Sequence, residues 1–292
     1  MADGTGGGQS GEFEKERKKQ GVNMKADLHA HSYYSDGDLS PRELARYMSE
    51  AGADAFSLTD HDTMAGVDEA CAAAEEFGLK FVPGVEISAY DGCDIHILGY
   101  YVDKNNPKFK KFDADMSESR RVRFERTLEL LKQYGMPLDF DKARSFAKRN
   151  PSRAHAAMGL VDAGYEPDMA SCFDKWLRAG GPCYVPNDSF GPEEAVRLIC
   201  DCGGIAVLAH PVRIRMNSDK LASYIKMLTK RGLSGIEASY KQAQEDVVKK
   251  FTEIGKANGL FITNGGDFHS PSRSLPVPRE ISESTAKALR LL

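Results

Sequence analysis

The sequence predicts an α/β fold, a parallel sheet or barrel with helices packed outside it. Three observations carry this reading. Seven short segments rich in apolar, β-branched or aromatic residues recur along the 292-residue chain. Helical patterns separate several of them. Most of the segments end in imidazoles or carboxylates, as strands feeding one site would. A chain of this length holds one large α/β domain or a barrel with an insertion. Its 41% hydrophobic and 28% charged content is that of a globular protein.

Taken in order, residues 1–22 are Gly-rich and then charged, and read as a disordered leader. MKADLHAH is the first strand. Ser40-Pro41-Arg42-Glu43 then joins an N-cap, a first-position proline and a capping-box glutamate. Leu44, Tyr47, Met48 and Ala51 give that helix one apolar face, and Gly52 stops it. ADAFSLTDHD is the second strand, and Ala65 to Phe77 the second helix, ending at Gly78. LKFVPGVEIS and IHILGYYV follow as strands. The strand–helix–strand rhythm predicts parallel pairing.

From about residue 104 to 190 the rhythm breaks. MSESRRVRFERTLELLKQYG reads as a charged amphipathic helix ending at Gly135, and helical pieces surround SRAHAAMGLVDAG and the single tryptophan, Trp176. Residues 105–190 therefore read as a helical insertion between the fourth and fifth strands, expected to form part of a substrate pocket. Residues 23–104 and 191–292 make the catalytic barrel. In the second part PEEAVRLICDCGG leads as a helix into the strand GIAVLAHP, and GIEASY and FITNGGDFH are the last two strands.

A formal charge of −4 offers no broad basic surface, so extended nucleic acid is not an expected partner. Six cysteines without a CxxC pair read as reduced thiols, and the expected location is the cytoplasm. No apolar run approaches the ~18 residues of a membrane span, so no membrane is expected.

All seven histidines fall in short metal-site-like motifs. They are His29 and His31 in DLHAHS, His61 in TDHD, His96 in DIHILGY, His155 in SRAHAAM, His210 in LAHP and His269 in GDFH. Glu86 closes an apolar run in PGVEIS. Residues two apart on a strand share a face, so His29 and His31 project together, as do Asp267 and His269. If both strands belong to one barrel, their ends converge. Imidazoles and carboxylates gathered at strand ends are what a multinuclear metal site needs.

The ordered set HAHS-x-x-SDG, TDHD, PGVEIS, HILGY, AHP and GDFH resembles the PHP (polymerase and histidinol phosphatase) phosphoesterase family, over residues 24–104 and about 193–272. The insertion resembles the branch of that family acting on nucleotides and related small phosphates. The resemblance implies a distorted seven-stranded (β/α) barrel with a helical insertion. It implies two to three divalent transition metals, manganese, iron or zinc. One position would be held by His29, His31, Glu86 and Asp267; a second would share Glu86 and add His96 and His210; a third would take Asp36, His61 and His269. The activity implied is hydrolysis of a phosphate monoester or cyclic phosphodiester by attack of metal-bound hydroxide. The small phosphorylated substrate would be bound by Arg153, His155 and Arg213, and Asp62 and His269 are the candidates for proton transfer. The family's usual RPH is Arg153-Ala154-His155 in this chain.

Plainer roles stand beside these. Asp27 reads as a structural hydrogen-bond acceptor rather than a ligand, Asp60 as an orienter of neighbouring amides, and Asp62 equally as a helix cap. Ser88 reads as a strand-end hydroxyl. His155 reads equally as a structural histidine or as ordering the Arg153 loop. The basic run Arg120 to Arg126 reads as the solvated face of an amphipathic helix. Three other functions compete: hydrolysis of short oligonucleotide ends, amidohydrolase-type C–N cleavage, and a non-catalytic metal-binding barrel. The TDHD motif and Glu86 favour phosphorus over C–N chemistry, and a full ligand set disfavours a non-catalytic barrel.

Overall fold

In the computed structural model, described over residues 24–186, 190–272 and 275–292, the seven expected segments form seven strands in order. They are β1 (Lys25–Asp27), β2 (Ala55–Leu58), β3 (Lys80–Tyr90), β4 (Asp94–Tyr100), β5 (Ile205–Leu208), β6 (Leu233–Tyr240) and β7 (Phe261–Gly265). A short eighth strand, β8 (Arg279–Glu280), pairs antiparallel with β1. The expected leader lies outside the described residues.

The sheet runs β7-β6-β5-β4-β3-β2-β1-β8. Its far sides meet: the Leu28 amide donates to the Asn264 carbonyl at 3.1 Å and the Asn264 side chain to the Ala26 carbonyl at 2.7 Å. Ala30 and Phe268 add a parallel bridge, so the sheet curls into a nearly closed barrel. This is the α/β barrel expected from the sequence, with one strand more.

Strand direction departs from expectation. Four neighbouring pairs are parallel, but β4 runs antiparallel to both β3 and β5. The reason is local. Asp91-Gly92-Cys93 turns the chain straight back, with Gly92 at φ +70°, and leaves no room for a crossover helix.

Outside the barrel stand α1 (Pro41–Glu50) and α2 (Val67–Glu76). α1 starts as expected: the Ser40 hydroxyl accepts from the Glu43 amide at 3.2 Å and Glu43 accepts from the Ser40 amide at 2.9 Å. Between β4 and β5 come α3 (Pro107–Gln133), α4 (Phe140–Ser145), α5 (Arg153–Asp162) and α6 (Met169–Cys172). A π-turn over Phe173–Leu177 follows, and then α7 (Pro192–Asp201). α8 (Ser218–Lys230), α9 (Glu245–Ala257) and α10 (Glu283–Ala288) complete the shell.

α3 begins well before Met116, because the Asn106 side chain accepts from the Lys108 amide and Pro107 takes the first helical position. Its buried stripe is Phe109, Phe112, Met116, Arg120, Phe124, Thr127, Leu128 and Leu131, spaced three and four apart. Phe109, Phe112 and Met116 pack into the barrel core. Phe124, Leu128 and Leu131 belong to a separate core with Ala156, Leu160 and Leu177. One helix thus ties two cores together, each buried apolar side chain contributing roughly 1.5–3 kcal/mol.

Candidate metal centre

The strand alternation that aims the ligands continues past the ends of β1 and β7. The His31 amide donates to the Phe268 carbonyl at 2.8 Å, and the Phe268 amide to the His29 carbonyl at 3.3 Å. Ala30 and Phe268 are fully buried in the core beneath α1. Their burial turns His29, His31, Asp267 and His269 to the opposite side, into the barrel mouth. Glu86 lies mid-strand in β3, His61 bridges to it, and His210 follows β5. His96 falls near the start of β4 rather than its end, because that strand is reversed. The antiparallel register sets it opposite Ser88.

Three residues here adopt the left-handed backbone that non-glycine residues avoid: Asp62 at φ 57°, His210 at 25° and Asp267 at 46°. Gly265 is required by close approach, since a Cβ there would overlap both His29 and Glu237.

His29, His31, Glu86 and Asp267 form a fully buried cage. The Nε2 atoms of His29 and His31 stand 3.2 Å apart. Both lie 3.3 Å from Glu86 Oε2, and they lie 3.6 and 3.2 Å from Asp267 Oδ1. Four donors, each ~2.0–2.2 Å from one ion at tetrahedral angles, would stand roughly 3.4 Å apart. The residues fit a cation.

A second group gathers His31, Asp36, His61 and His269, and a third His61, Glu86 and His96. His210 Nε2 joins the third at 3.0 Å from Glu86 Oε1, the oxygen that His96 Nδ1 meets at 2.8 Å. His269 Nδ1 donates to the Asp267 carbonyl at 2.8 Å, which directs Nε2 to Asp36 at 3.3 Å. Asp36 Oδ1 and Glu86 Oε2 are buried without a hydrogen-bond partner among the described residues. Burying a carboxylate oxygen that way is costly unless a cation meets it.

Charge tells the same story. Burial works to raise the Glu86 carboxyl, and His29, His96 and His61 overcome it, holding it well below the usual range. Asp267 and Asp36 are likewise held low by neighbouring imidazoles against burial. Burial lowers His210 to about 4 and holds His61 well below its ordinary value, so both rings are neutral donors. Burial also works to lower His31, and the Asp267 and Glu86 carboxylates reverse it, to about 10. His29 is raised in the same way by Glu86 and Glu237. The carboxylates of the cage thus favour positive charge beside them, which is what a cation would supply.

Behind the cage stands Glu237 of β6, which sequence reasoning missed. It accepts from His29 Nδ1 at 3.1 Å and from the His210 amide at 2.7 Å. Tyr240 donates to Asp267 Oδ2 at 2.9 Å. Asp27 accepts from the amides of His29, Gly266 and Val277, at 3.3, 2.8 and 2.9 Å, and stays out of the cage. Asp60 accepts from the Ser32 amide and the Ser32 and Ser35 hydroxyls.

A cavity of about 340 Å³ opens above these ligands, with the insertion as its far wall. Arg153 and Arg213 both line it. Arg153 donates to Asp94 at 3.4 Å and to the Leu177 carbonyl at 3.3 Å, and stacks 5.0 Å over the Tyr184 ring. Arg213 reaches the Tyr240 hydroxyl at 3.3 Å. His155 does not line the cavity. It is buried at the start of α5, where its Nδ1 accepts from the Ser152 amide at 2.9 Å. It therefore caps the helix and orders the Arg153 turn, one of the roles the sequence left open for it.

Asp62, the other candidate for proton transfer, has its carboxylate engaged by protein groups. Fully buried, it accepts from the Ser88 amide at 2.7 Å and from Arg120 Nε at 2.7 Å, and it is not part of the cavity wall. The basic run is not uniformly solvated either. Arg121 is exposed, but Arg120 and Arg123 face the cavity. Arg120 occupies an apolar-stripe position of α3, and that spacing was the readable signal. Burial, then Arg120 and Arg153, lower the Arg123 guanidinium to about 10. Arg123 meets the Val185 carbonyl at 3.2 Å, and its Nε has no hydrogen-bond partner among the described residues.

The profile of the family described as PHP domain matches residues 27–253. The chain is 36% identical over 252 residues to a 3',5'-nucleoside bisphosphate phosphatase of Chromobacterium violaceum, covering 84% of this chain and 87% of that protein. It is 35% identical over 254 residues to a 5'-3' exoribonuclease of Haemophilus influenzae, covering 86% and 92%. Among solved structures, an amidohydrolase of Chromobacterium violaceum with bound sulfate and no metal superimposes with a TM-score of 0.84 at 33% identity, covering 91% of this chain and 96% of that one.

Proposed function

The chain belongs to the PHP domain family, and from that premise we propose that this metal-dependent phosphoesterase hydrolyses a small nucleotide carrying a second, distal phosphate. The carrying observation is the asymmetry of the cavity. The barrel contributes imidazoles and carboxylates spaced for cations, and the insertion contributes Arg120, Arg123 and Arg153. Asp62 and Asp94 answer Arg120 and Arg153, which leaves the charge of Arg123 for an anion. A volume of about 340 Å³ is that of a small-ligand pocket.

We assign the reacting phosphate to the cage side, with ligands His29, His31, Glu86 and Asp267; Glu86, His96 and His210; and Asp36, His61 and His269. Two to three manganese, iron or zinc ions suit such nitrogen and oxygen donors. Bound there, the ions supply water activation and neutralise phosphoryl oxygens. Arg123 and Arg153 hold the distal phosphate, Arg153 pre-set by Asp94 and Tyr184. Arg213, half exposed at the cavity rim, draws the anion in. His269 keeps Nε2 for Asp36 and a cation, and of the two proton-transfer candidates it is the one on the cavity wall. Six free cysteines suit work in the cytoplasm. No helix among the described residues is long and apolar enough to cross a membrane.

The test is phosphate release with manganese from nucleoside bisphosphates, monophosphates, cyclic phosphates and oligoribonucleotides of graded length. A preference for bisphosphates is expected, and Arg153→Ala should raise KM for them about tenfold or more while sparing monophosphates. The exoribonuclease relative favours a second reading, action on short RNA ends. Activity that climbs with oligonucleotide length would select it.

A further inference from the structure

We propose that Arg120, on the insertion helix α3, is a positioning residue for His61, and so makes the insertion part of the metal centre's geometry. The inference rests on the metal assignment above. Arg120 lies between Met116 and Phe124 on the buried stripe of α3 and is 7% exposed. Its NH2 group contacts Asp62 Oδ2 at 2.5 Å and donates to Ser88 Oγ at 2.8 Å, while Nε donates to the same Asp62 oxygen at 2.7 Å. Asp62 in turn accepts from the Ser88 amide at 2.7 Å, and its own amide donates to the Glu86 carbonyl at 2.9 Å. One guanidinium thus fixes both the residue after His61 and the residue two after Glu86.

His61 is the ring that this arrangement aims. Its Nε2 faces Asp36 at 3.8 Å, in the group with His31 and His269. Its Nδ1 lies 3.5 Å from Ser88 Oγ and 3.0 Å from Glu86 Oε2. A ligating imidazole takes its orientation and tautomer from the hydrogen bond its other nitrogen makes. A serine oxygen has two lone pairs, so Ser88 Oγ can accept from Arg120 and from His61 Nδ1 together. With Nδ1–H held there, Nε2 presents its lone pair toward Asp36. Asp62 sits at φ +57°, a conformation that side-chain-bearing residues adopt sparingly, and its held carboxylate helps to keep it there.

The experiment uses the full chain carrying Arg120→Met, with Arg121→Met on the exposed face as control. Metal-free protein is loaded with manganese, and bound metal is counted by plasma mass spectrometry across a chelator series. Thermal melting of the metal-free protein is followed in parallel. The expected result is selective: one metal position weakens 10–100-fold and the others hold. Should Arg120→Met fail to fold, the pair Arg120→Met with Asp62→Asn removes the stranded charge and is expected to fold while still binding that one metal weakly. Wild-type stoichiometry and chelator resistance in the folded variant would overturn the proposal, and so would equal weakening at every position. Wild-type protein that takes up no metal would instead undo the metal assignment itself.

Discussion

Glu237→Gln should weaken metal binding without changing any proposed ligand. The carboxylate accepts two hydrogen bonds, one on each oxygen: from His29 Nδ1 at 3.1 Å and from the His210 amide at 2.7 Å. Glutamine has the same shape but only one accepting atom, so one of these donors must face an NH2 group. If it is His29, the ring moves its proton to Nε2 and withdraws the lone pair aimed between Glu86 and Asp267. If it is the His210 amide, a buried N–H loses its partner, costing about 1–3 kcal/mol of stability, and the His210 turn loosens. Carboxylates behind metal-binding histidines typically account for 10–100-fold in metal affinity, or about 1.4–2.7 kcal/mol. Competition against a fluorescent chelator gives the first quantity, and urea denaturation of metal-free protein gives the second. A variant within about twofold of wild type in affinity, with an unchanged denaturation midpoint, would refute the claim that Glu237 orients the cage.

Glu86→Ala should abolish hydrolysis and lower bound metal by more than one position, since both carboxylate oxygens face imidazoles; metal analysis showing full occupancy would contradict it. Metal loading should release protons. His31, raised to about 10 by the Asp267 and Glu86 carboxylates, must give up a proton at pH 7 to bind a cation, and His29 is shifted in the same direction by Glu86 and Glu237. Proton release on loading should therefore appear in weakly buffered solution at pH 7, and metal affinity should rise with pH; a pH-independent affinity would count against the cage. His155→Ala should cost about 1 kcal/mol of stability through the lost cap at Ser152. In that variant KM should rise less than in Arg153→Ala, and an equal rise would return His155 to the substrate site.

The clustering of the proposed ligands was legible because strand alternation is a strict geometric rule. HxH and DxH at strand ends commit both side chains to one side, and burial of Ala30 and Phe268 decides which side that is. Closure of the barrel then brings residue 29 beside residue 267. The reversed β4 was readable too, in Asp91-Gly92 between apolar segments, but the parallel rhythm around it outweighed a three-residue turn. For His155 the sequence offered ordering of the Arg153 loop beside substrate binding, and did not choose between them. Histidine in the third helical position does the work usually given to glutamate, and only the 2.9 Å bond to the Ser152 amide reveals it.

Arg120 and Glu237 share one signature, a charge at a position that its element buries. Arg120 falls four residues from apolar neighbours on either side, Met116 and Phe124 of α3, and Glu237 lies inside the apolar strand GIEASY. Neither position tolerates a charge without a partner, so each one announces that an opposite charge or a polar group meets it in the fold. What the sequence leaves out is the partner. Asp62 is 58 residues from Arg120 and His29 is 208 from Glu237, distances that only the tertiary fold closes. A buried charge can thus be located by periodicity and assigned by geometry. In this chain both assignments lead to the rear of the same histidine cluster, which is why Arg120→Met and Glu237→Gln should disturb the metals while leaving every proposed ligand in place.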